Sequence, residues 1–68
     1  MTVVVNGEQR ELPPGTTVSA LLDALDVPGG VRGVAVAVDA EVVPRGEWET
    51  TTVADGARVE VLRAIQGG

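Results

Sequence analysis

The chain has 68 residues, a length that suits one small domain. Five cationic side chains and a formal net charge of −5 make this domain acidic. It contains no Cys and no His, and all five cations are Arg, so thiolate, imidazole and lysine chemistry are excluded, as are the usual zinc ligands. The acidic balance and the single aromatic residue argue against nucleic-acid and membrane partners. We expect no catalytic side chain, no metal and no bound cofactor, in a cytoplasmic protein that serves as a partner of other proteins.

The chain opens with a predicted β-hairpin. Residues 2–6 are mostly β-branched, and the pair Asn6-Gly7 that follows is typical of a type I′ turn, because both residues tolerate a positive φ. Residues 8–12 form the second strand, which is polar enough for the edge of a sheet. Pro13 then helps to end it, since proline cannot donate to a strand ladder.

The one convincing helix is predicted over residues 17–25. Its start is marked by Thr16 or Thr17, either of which can cap the first turn with its hydroxyl oxygen. A helix of this register has a single apolar stripe, formed by Val18, Leu21, Leu22 and Leu25. Residues 27–30, rich in Pro and Gly, end it.

Three strands are predicted in the second half. Residues 34–38 alternate Val with Ala, so the valines share one face; a tight turn at 39–40 leads to a short strand over 41–43. Residues 44–48 are predicted to form a single irregular or 3₁₀ turn, and Trp48 is expected to fill the core. After a turn at 54–57, the last strand covers residues 58–63.

The predicted order β-β-α-β-β-β gives a two-layer α+β domain over residues 1–63, because one helix covers only one face of the sheet. The valine faces and the helix stripe form the core. The opposite face carries Ala35, Ala37 and Leu62, which makes it a candidate docking surface for a partner. Residues 64–68 are expected to form a flexible tail.

The tail has the residues Ile65 and Gln66 followed by Gly67 and Gly68. A segment without Cβ atoms can thread extended into a narrow channel and approach a cofactor closely. In a chain without Cys, His or Lys, the distinctive chemical group is then the α-carboxylate of Gly68. Such a group has to be activated by another enzyme that uses ATP, so we expect a carrier and not a catalyst.

Short motifs along nearly the whole chain can be compared with known families. They are Val5-Asn6-Gly7, Pro14-Gly15-Thr16-Thr17-Val18, Leu21-Leu22, residues 36–43 followed by Pro44-Arg45-Gly46-Glu47-Trp48, Asp55-Gly56-Ala57-Arg58-Val59-Glu60-Val61, and Gly67-Gly68. Together they resemble the bacterial sulfur carriers of thiamine biosynthesis, which have the β-grasp, ubiquitin-like fold. Gly46 stands where members often have Ser, and the 28–33 loop is slightly long, but neither departure touches the tail.

The resemblance implies a mixed sheet of about five strands packed on one main helix. It also implies that an E1-like adenylyltransferase uses ATP to convert the Gly68 carboxylate to an acyl-adenylate. Sulfur from a cysteine desulfurase then produces a thiocarboxylate, which donates the sulfur to thiazole synthase. Gly67 lets the tail enter the partners' active sites, and Ile65 and Gln66 position it.

Several alternatives remain open from the sequence. The small subunit of molybdopterin synthase has the same fold, tail and chemistry. A ubiquitin-like modifier would end in an isopeptide bond to a target lysine, and a carrier for cysteine biosynthesis would differ only in its acceptor. A plain β-grasp interaction module would have an inert tail. We expect this protein to be a monomer when it is free.

Overall fold

Five strands and one short helix are formed by residues 1–25 and 33–63, which are the residues described by the computed structural model. The elements are β1 (Thr2–Val5), β2 (Glu8–Glu11), α1 (Val18–Ala24), β3 (Val34–Val38), β4 (Glu41–Val43), a 3₁₀ turn (Arg45–Glu47) and β5 (Arg58–Arg63). The five predicted strands, the helix and the 3₁₀ turn are all present, and no boundary of these elements differs from its predicted position by more than one residue. The predicted Pro- and Gly-rich end of the helix at residues 27–30 lies outside the described residues.

Both short hairpins turn through residues with positive φ. Asn6 and Gly7 have φ values of 49° and 84°, as the predicted type I′ turn requires, and β1 pairs with β2 in antiparallel register from Val5↔Glu8 to Thr2↔Glu11. In the turn between β3 and β4, φ is also positive at Asp39 and Ala40, with values of 50° and 71°. Ala40 occupies a position where glycine is the usual residue.

Helix α1 is short and depends on its cap and its buried stripe. Thr17 is the N-cap, and its Oγ1 accepts a 3.1 Å hydrogen bond from the backbone N–H of Ala20. Of the predicted stripe, Val18, Leu21 and Leu22 are buried, and Leu25 is partly buried against the core. Tertiary packing therefore stabilises a helix that has only seven residues.

The strand order across the sheet is β2-β1-β5-β3-β4. β1 and β5 run parallel at the centre, while every other neighbouring pair is antiparallel. The polar strand β2 lies at an edge, as predicted, and β4 lies at the other. β5, the last strand within the described residues, is thus the central strand of the sheet.

Helix α1 packs against one face of this sheet, which confirms the predicted two-layer α+β arrangement. The buried hydrophobic residues of the described part of the chain form one cluster: Val3, Val5, Leu12, Val18, Leu21, Leu22, Val36, Val43, Trp48, Val53, Ala57, Val59 and Val61. Trp48 lies in this cluster with 4% of its surface exposed, as predicted. No helix within the described ranges has both the length and the hydrophobicity needed to cross a bilayer.

Candidate functional site

The predicted tail begins at the end of the central strand. In the strand order β5 lies between β1 and β3, and it ends at Arg63, which the predicted tail follows in the sequence. The predicted tail residues Ile65, Gln66, Gly67 and Gly68 lie outside the described residues. The structure therefore describes the strand that precedes the predicted tail, up to Arg63.

The asparagine of the first hairpin contacts β5 close to this base. Asn6 Nδ2 donates a 3.1 Å hydrogen bond to the carbonyl oxygen of Val61, and the N–H of Val61 donates a 2.9 Å hydrogen bond to Asn6 Oδ1. The backbone N–H of Asn6 also donates to the carbonyl of Val59, at 2.9 Å. We call the two hydrogen bonds between the Asn6 side chain and the Val61 backbone the Asn6–Val61 clasp. Sequence reasoning identified Asn6 only as a turn residue.

The second candidate feature is the sheet face opposite α1. Leu62 is 65% exposed and pairs across the strands with Ala35, which is also exposed. Ala37 lies on the same face but is only half-buried. The structure thus brings the three predicted docking residues together on one surface.

Val42 belongs to this surface and was missed from the sequence. It is the cross-strand partner of Ala37 in β4, and 74% of its surface is exposed. Alternation along β4 was the signal that would have found it, because its neighbour Val43 faces the core and successive side chains point to opposite faces. We call Ala35, Ala37, Val42 and Leu62 the outer apolar face.

The outer apolar face is not uniformly hydrophobic. Glu60 is the β5 partner of Ala37 and is exposed on the same side, so a carboxylate lies within the apolar surface. Arg58 is also exposed and lies two residues before Glu60 in β5, so its side chain is on the same face. A partner that covers this face has to accommodate both charges as well as the aliphatic side chains.

The described residues offer little catalytic chemistry of their own. Their ionisable side chains are carboxylates and guanidinium groups, and none of the carboxylates is buried. Within ranges 1–25 and 33–63, acidic side chains do not form a group that could hold a metal ion.

Comparisons with known proteins support the resemblance drawn from the motifs. A family model described as the ThiS family matches residues 3–68. The chain belongs to the ThiS family. The sulfur carrier protein ThiS of Escherichia coli strain K12 is 32% identical over 68 residues, and the match covers the full length of both chains. The predicted family is confirmed, and with it the predicted function of a sulfur carrier in thiamine biosynthesis.

A second relative is a much larger protein. A thiazole synthase of Paramagnetospirillum magneticum strain AMB-1 is 40% identical over 68 residues, a match that covers all of this chain. The chain spans 20% of the length of that protein. A segment of this kind is therefore part of a longer polypeptide in that organism.

Solved structures confirm the predicted β-grasp fold. The crystal structure of a thiamine biosynthesis protein (ThiS) from Geobacter metallireducens matches with a TM-score of 0.82 and 36% identity, over the whole of both chains. The solution NMR structure of a thiamine biosynthesis protein from the same organism matches with a TM-score of 0.79 and 36% identity, covering all of this chain and 88% of the other.

Proposed function

We propose that this chain carries sulfur for thiazole formation as a thiocarboxylate on Gly68. The observation that carries this proposal is the end-to-end match to a sulfur carrier protein, which includes the Gly67-Gly68 pair. The composition supports it as well, because a chain without Cys cannot hold sulfur as a side-chain persulfide. The chain acts as a carrier and as a co-substrate of its partner enzymes.

The proposed chemistry has three steps at the carboxyl group of Gly68. In the first, a carboxylate oxygen attacks the α-phosphorus of ATP on an E1-like adenylyltransferase, an acyl–phosphate bond forms, and pyrophosphate leaves. In the second, the terminal sulfur of a persulfide supplied by a cysteine desulfurase attacks the carbonyl carbon, and AMP leaves. This attack joins the chain to the sulfur donor through an S–S bond. In the third step a thiol reduces that bond and is itself oxidised to a disulfide, and the Gly68 thiocarboxylate is released.

The tail residues have separate roles in this proposal. Gly67 and Gly68 add no Cβ to the tail, so it is narrow enough to pass through a channel to a buried nucleotide. Ile65 and Gln66 supply the side chains that set how far the tail enters. The folded body, residues 1–63, supplies the surface on which each partner docks.

We propose that the outer apolar face docks on thiazole synthase. The Paramagnetospirillum protein, named a thiazole synthase, includes a segment similar to this entire chain, so in that protein the two functions share one polypeptide. Covalent linkage raises the effective concentration of a partner, which suits an acceptor that has to meet its sulfur carrier repeatedly. Leu62 and Val42 are the aliphatic side chains available for burial, with 65% and 74% of their surfaces exposed.

The proposal extends to the location, oligomeric state and cofactor binding of the chain. The chain is a cytoplasmic monomer when free, it binds no cofactor of its own, and the ATP is bound by the activating partner. Its net charge of −5 favours protein partners over nucleic acid. The relatives described above are named for thiamine biosynthesis or thiazole synthase, which favours this branch over molybdopterin synthesis or protein conjugation.

The experiment that tests the acceptor uses the thiocarboxylated chain labelled with a heavy sulfur isotope. It is mixed in separate reactions with thiazole synthase and its small-molecule substrates, or with the large subunit of molybdopterin synthase and its precursor. We expect the label in the thiazole product. Label in the pterin product alone would contradict the proposal, and so would release of the label as hydrosulfide while the Gly68 carbonyl forms an amide bond with a protein lysine.

A further inference from the structure

The Asn6–Val61 clasp lies where the pairing of β1 with β5 comes to an end. The backbone pairs are Val4↔Arg58 and Val5↔Val59, after which the chain turns away through Asn6 and Gly7 into β2. Backbone groups along a strand point alternately to its two sides, so the N–H and C=O of Val61 face the side that β1 has just left. A turn without a suitable side chain would leave both groups of Val61 without a partner from β1.

The side chain of Asn6 takes the place of the missing strand residue. Its amide supplies one donor and one acceptor, which are the two functions of a backbone peptide group, and both are used on Val61 at 3.1 Å and 2.9 Å. Asn6 makes these contacts from a left-handed backbone conformation, with a φ of 49°. One residue therefore closes the hairpin and extends the central ladder.

The position of the clasp along β5 gives it a consequence for the tail. On the other side of β5, Val61 lies opposite Val36 in the antiparallel pairing with β3, so β5 is restrained by the clasp on one side and by the β3 pairing on the other. Beyond Val61 the strand has cross-strand pairs only with β3, namely Ala35↔Leu62 and Val34↔Arg63, among the described residues. The clasp is thus the last restraint from the β1 side before residue 64.

We propose that Asn6 is a positioning residue for the tail: by holding Val61 it fixes the direction in which the chain leaves Arg63 toward a partner's active site. This inference rests on the proposed function, because it assigns Asn6 a part in presenting the Gly68 carboxylate. Docking through the folded body does not depend on the clasp. Loss of the clasp therefore lowers the fraction of docked carriers whose tail is productively placed.

Asn6→Gly distinguishes the role of Asn6 in the clasp from its role in the turn. Glycine adopts a positive φ readily, so the type I′ hairpin remains while both side-chain hydrogen bonds are removed. Asn6→Asp is the conservative partner, since it tolerates the same backbone and keeps an oxygen acceptor for the Val61 N–H. Gly56→Ala is the control for general destabilisation. It has a φ of 80°, no atom within 4 Å of the added Cβ, and a position at the other end of β1, where its N–H donates to the Thr2 carbonyl.

Two measurements are made on the wild-type chain and the three variants, at a temperature where all are folded. The first is hydrogen exchange of the Val61 N–H by NMR, which reports the clasp without any partner. Exchange is expected to accelerate by about tenfold or more in Asn6→Gly, and to change far less in Asn6→Asp and in Gly56→Ala. Unchanged exchange in Asn6→Gly would overturn the inference.

The second measurement is the steady-state adenylation of each chain by the E1-like activating enzyme with ATP, followed as pyrophosphate release. For Asn6→Gly we expect kcat to fall about tenfold with KM within about twofold of the wild-type value, because the clasp acts after docking. Gly56→Ala should keep both constants. An unchanged kcat in Asn6→Gly, or an equal loss in Gly56→Ala, would overturn the inference. A wild-type chain that is not adenylated would instead overturn the proposed function and this inference with it.

Discussion

The indole Nε1 of Trp48 donates a 2.9 Å hydrogen bond to the backbone carbonyl of Val43, the last residue of β4. The ring is buried in the core, and the Trp48 carbonyl accepts a hydrogen bond from the N–H of Ser19 at 3.0 Å. Trp48 thus joins the end of β4, the first turn of α1 and the core. It fixes the long connection that leads from β4 to the central strand β5.

Replacing Trp48 by Phe should destabilise the protein without unfolding it. Phenylalanine keeps an aromatic ring in the core but is smaller and has no N–H, so the Val43 carbonyl loses its donor. We expect a loss of about 2–4 kcal/mol in the free energy of unfolding, measured by urea denaturation with circular dichroism. The exposed neighbour Glu49 provides the control, and Glu49→Ala should change the same quantity by less than about 0.5 kcal/mol. Equal effects would show that the Trp48 contacts contribute nothing specific.

Ala40→Gly should stabilise the protein. Ala40 has a φ of 71°, a left-handed conformation that costs an L-residue roughly 1–2 kcal/mol, whereas glycine adopts it freely. Glycine also gains entropy in the unfolded chain, which offsets part of this. We therefore expect a net gain of about 0.5–1 kcal/mol in thermal or urea unfolding.

The other hairpin supplies the matched comparison for that prediction. Gly7→Ala introduces the opposite change in a turn of the same type, at a φ of 84° and with no atom within 4 Å of the new Cβ. It should destabilise the protein by about 1 kcal/mol. Effects of the same sign at the two positions would contradict the assigned turn geometry.

The N-cap of α1 gives a third stability prediction. Thr17→Ala removes the Oγ1 acceptor of the Ala20 N–H, and we expect a loss of about 1 kcal/mol in the free energy of unfolding. Thr17→Ser keeps the oxygen and should remain within about 0.5 kcal/mol of the wild-type value. A serine variant as unstable as the alanine variant would assign the loss to the threonine methyl group and not to the cap.

Local features of the fold were accessible from the sequence because their causes lie within a few residues. Asn6-Gly7 marks its own turn, the spacing of the leucines marks α1, and the Val-Ala alternation marks β3. The strand order was not accessible in the same way, since the parallel pairing of β1 with β5 joins residues that lie at opposite ends of the chain.

The same division between local and distant causes applies to the candidate site. Leu62 and Ala35 were placed correctly on the outer apolar face because strand alternation is local. The second role of Asn6 depends on Val61, 55 residues away, and nothing in its own neighbourhood indicates that contact. The Gly68 carboxylate was predicted from composition and family resemblance, and it stays a proposal because residue 68 lies outside the described ranges.

Leu62→Glu tests the outer apolar face as a docking surface. The side chain is 65% exposed, so the fold should lose no more than about 1 kcal/mol of stability. Burying a new carboxylate against thiazole synthase should weaken the complex by at least about tenfold, measured by isothermal titration calorimetry. Val42→Glu should weaken it as well, since Val42 lies on the same face.

The matched control for that prediction adds the same charge elsewhere. Thr50→Glu places a carboxylate at an exposed position in the connection between β4 and β5, away from the outer apolar face. Its affinity for thiazole synthase should stay within about twofold of the wild-type value. If Leu62→Glu binds as tightly as Thr50→Glu, the outer apolar face is not the docking surface.

The most direct test of the account is the intact mass of the chain after incubation with ATP, the E1-like activating enzyme and a persulfide source. We predict a gain equal to the mass difference between one sulfur and one oxygen atom, located at Gly68 by fragmentation. A chain that lacks Gly68 but keeps the folded body should show no gain. An unmodified wild-type chain in the presence of a competent activating enzyme, or sulfur located at any residue other than Gly68, would contradict the proposal that this protein carries sulfur on its terminal carboxylate.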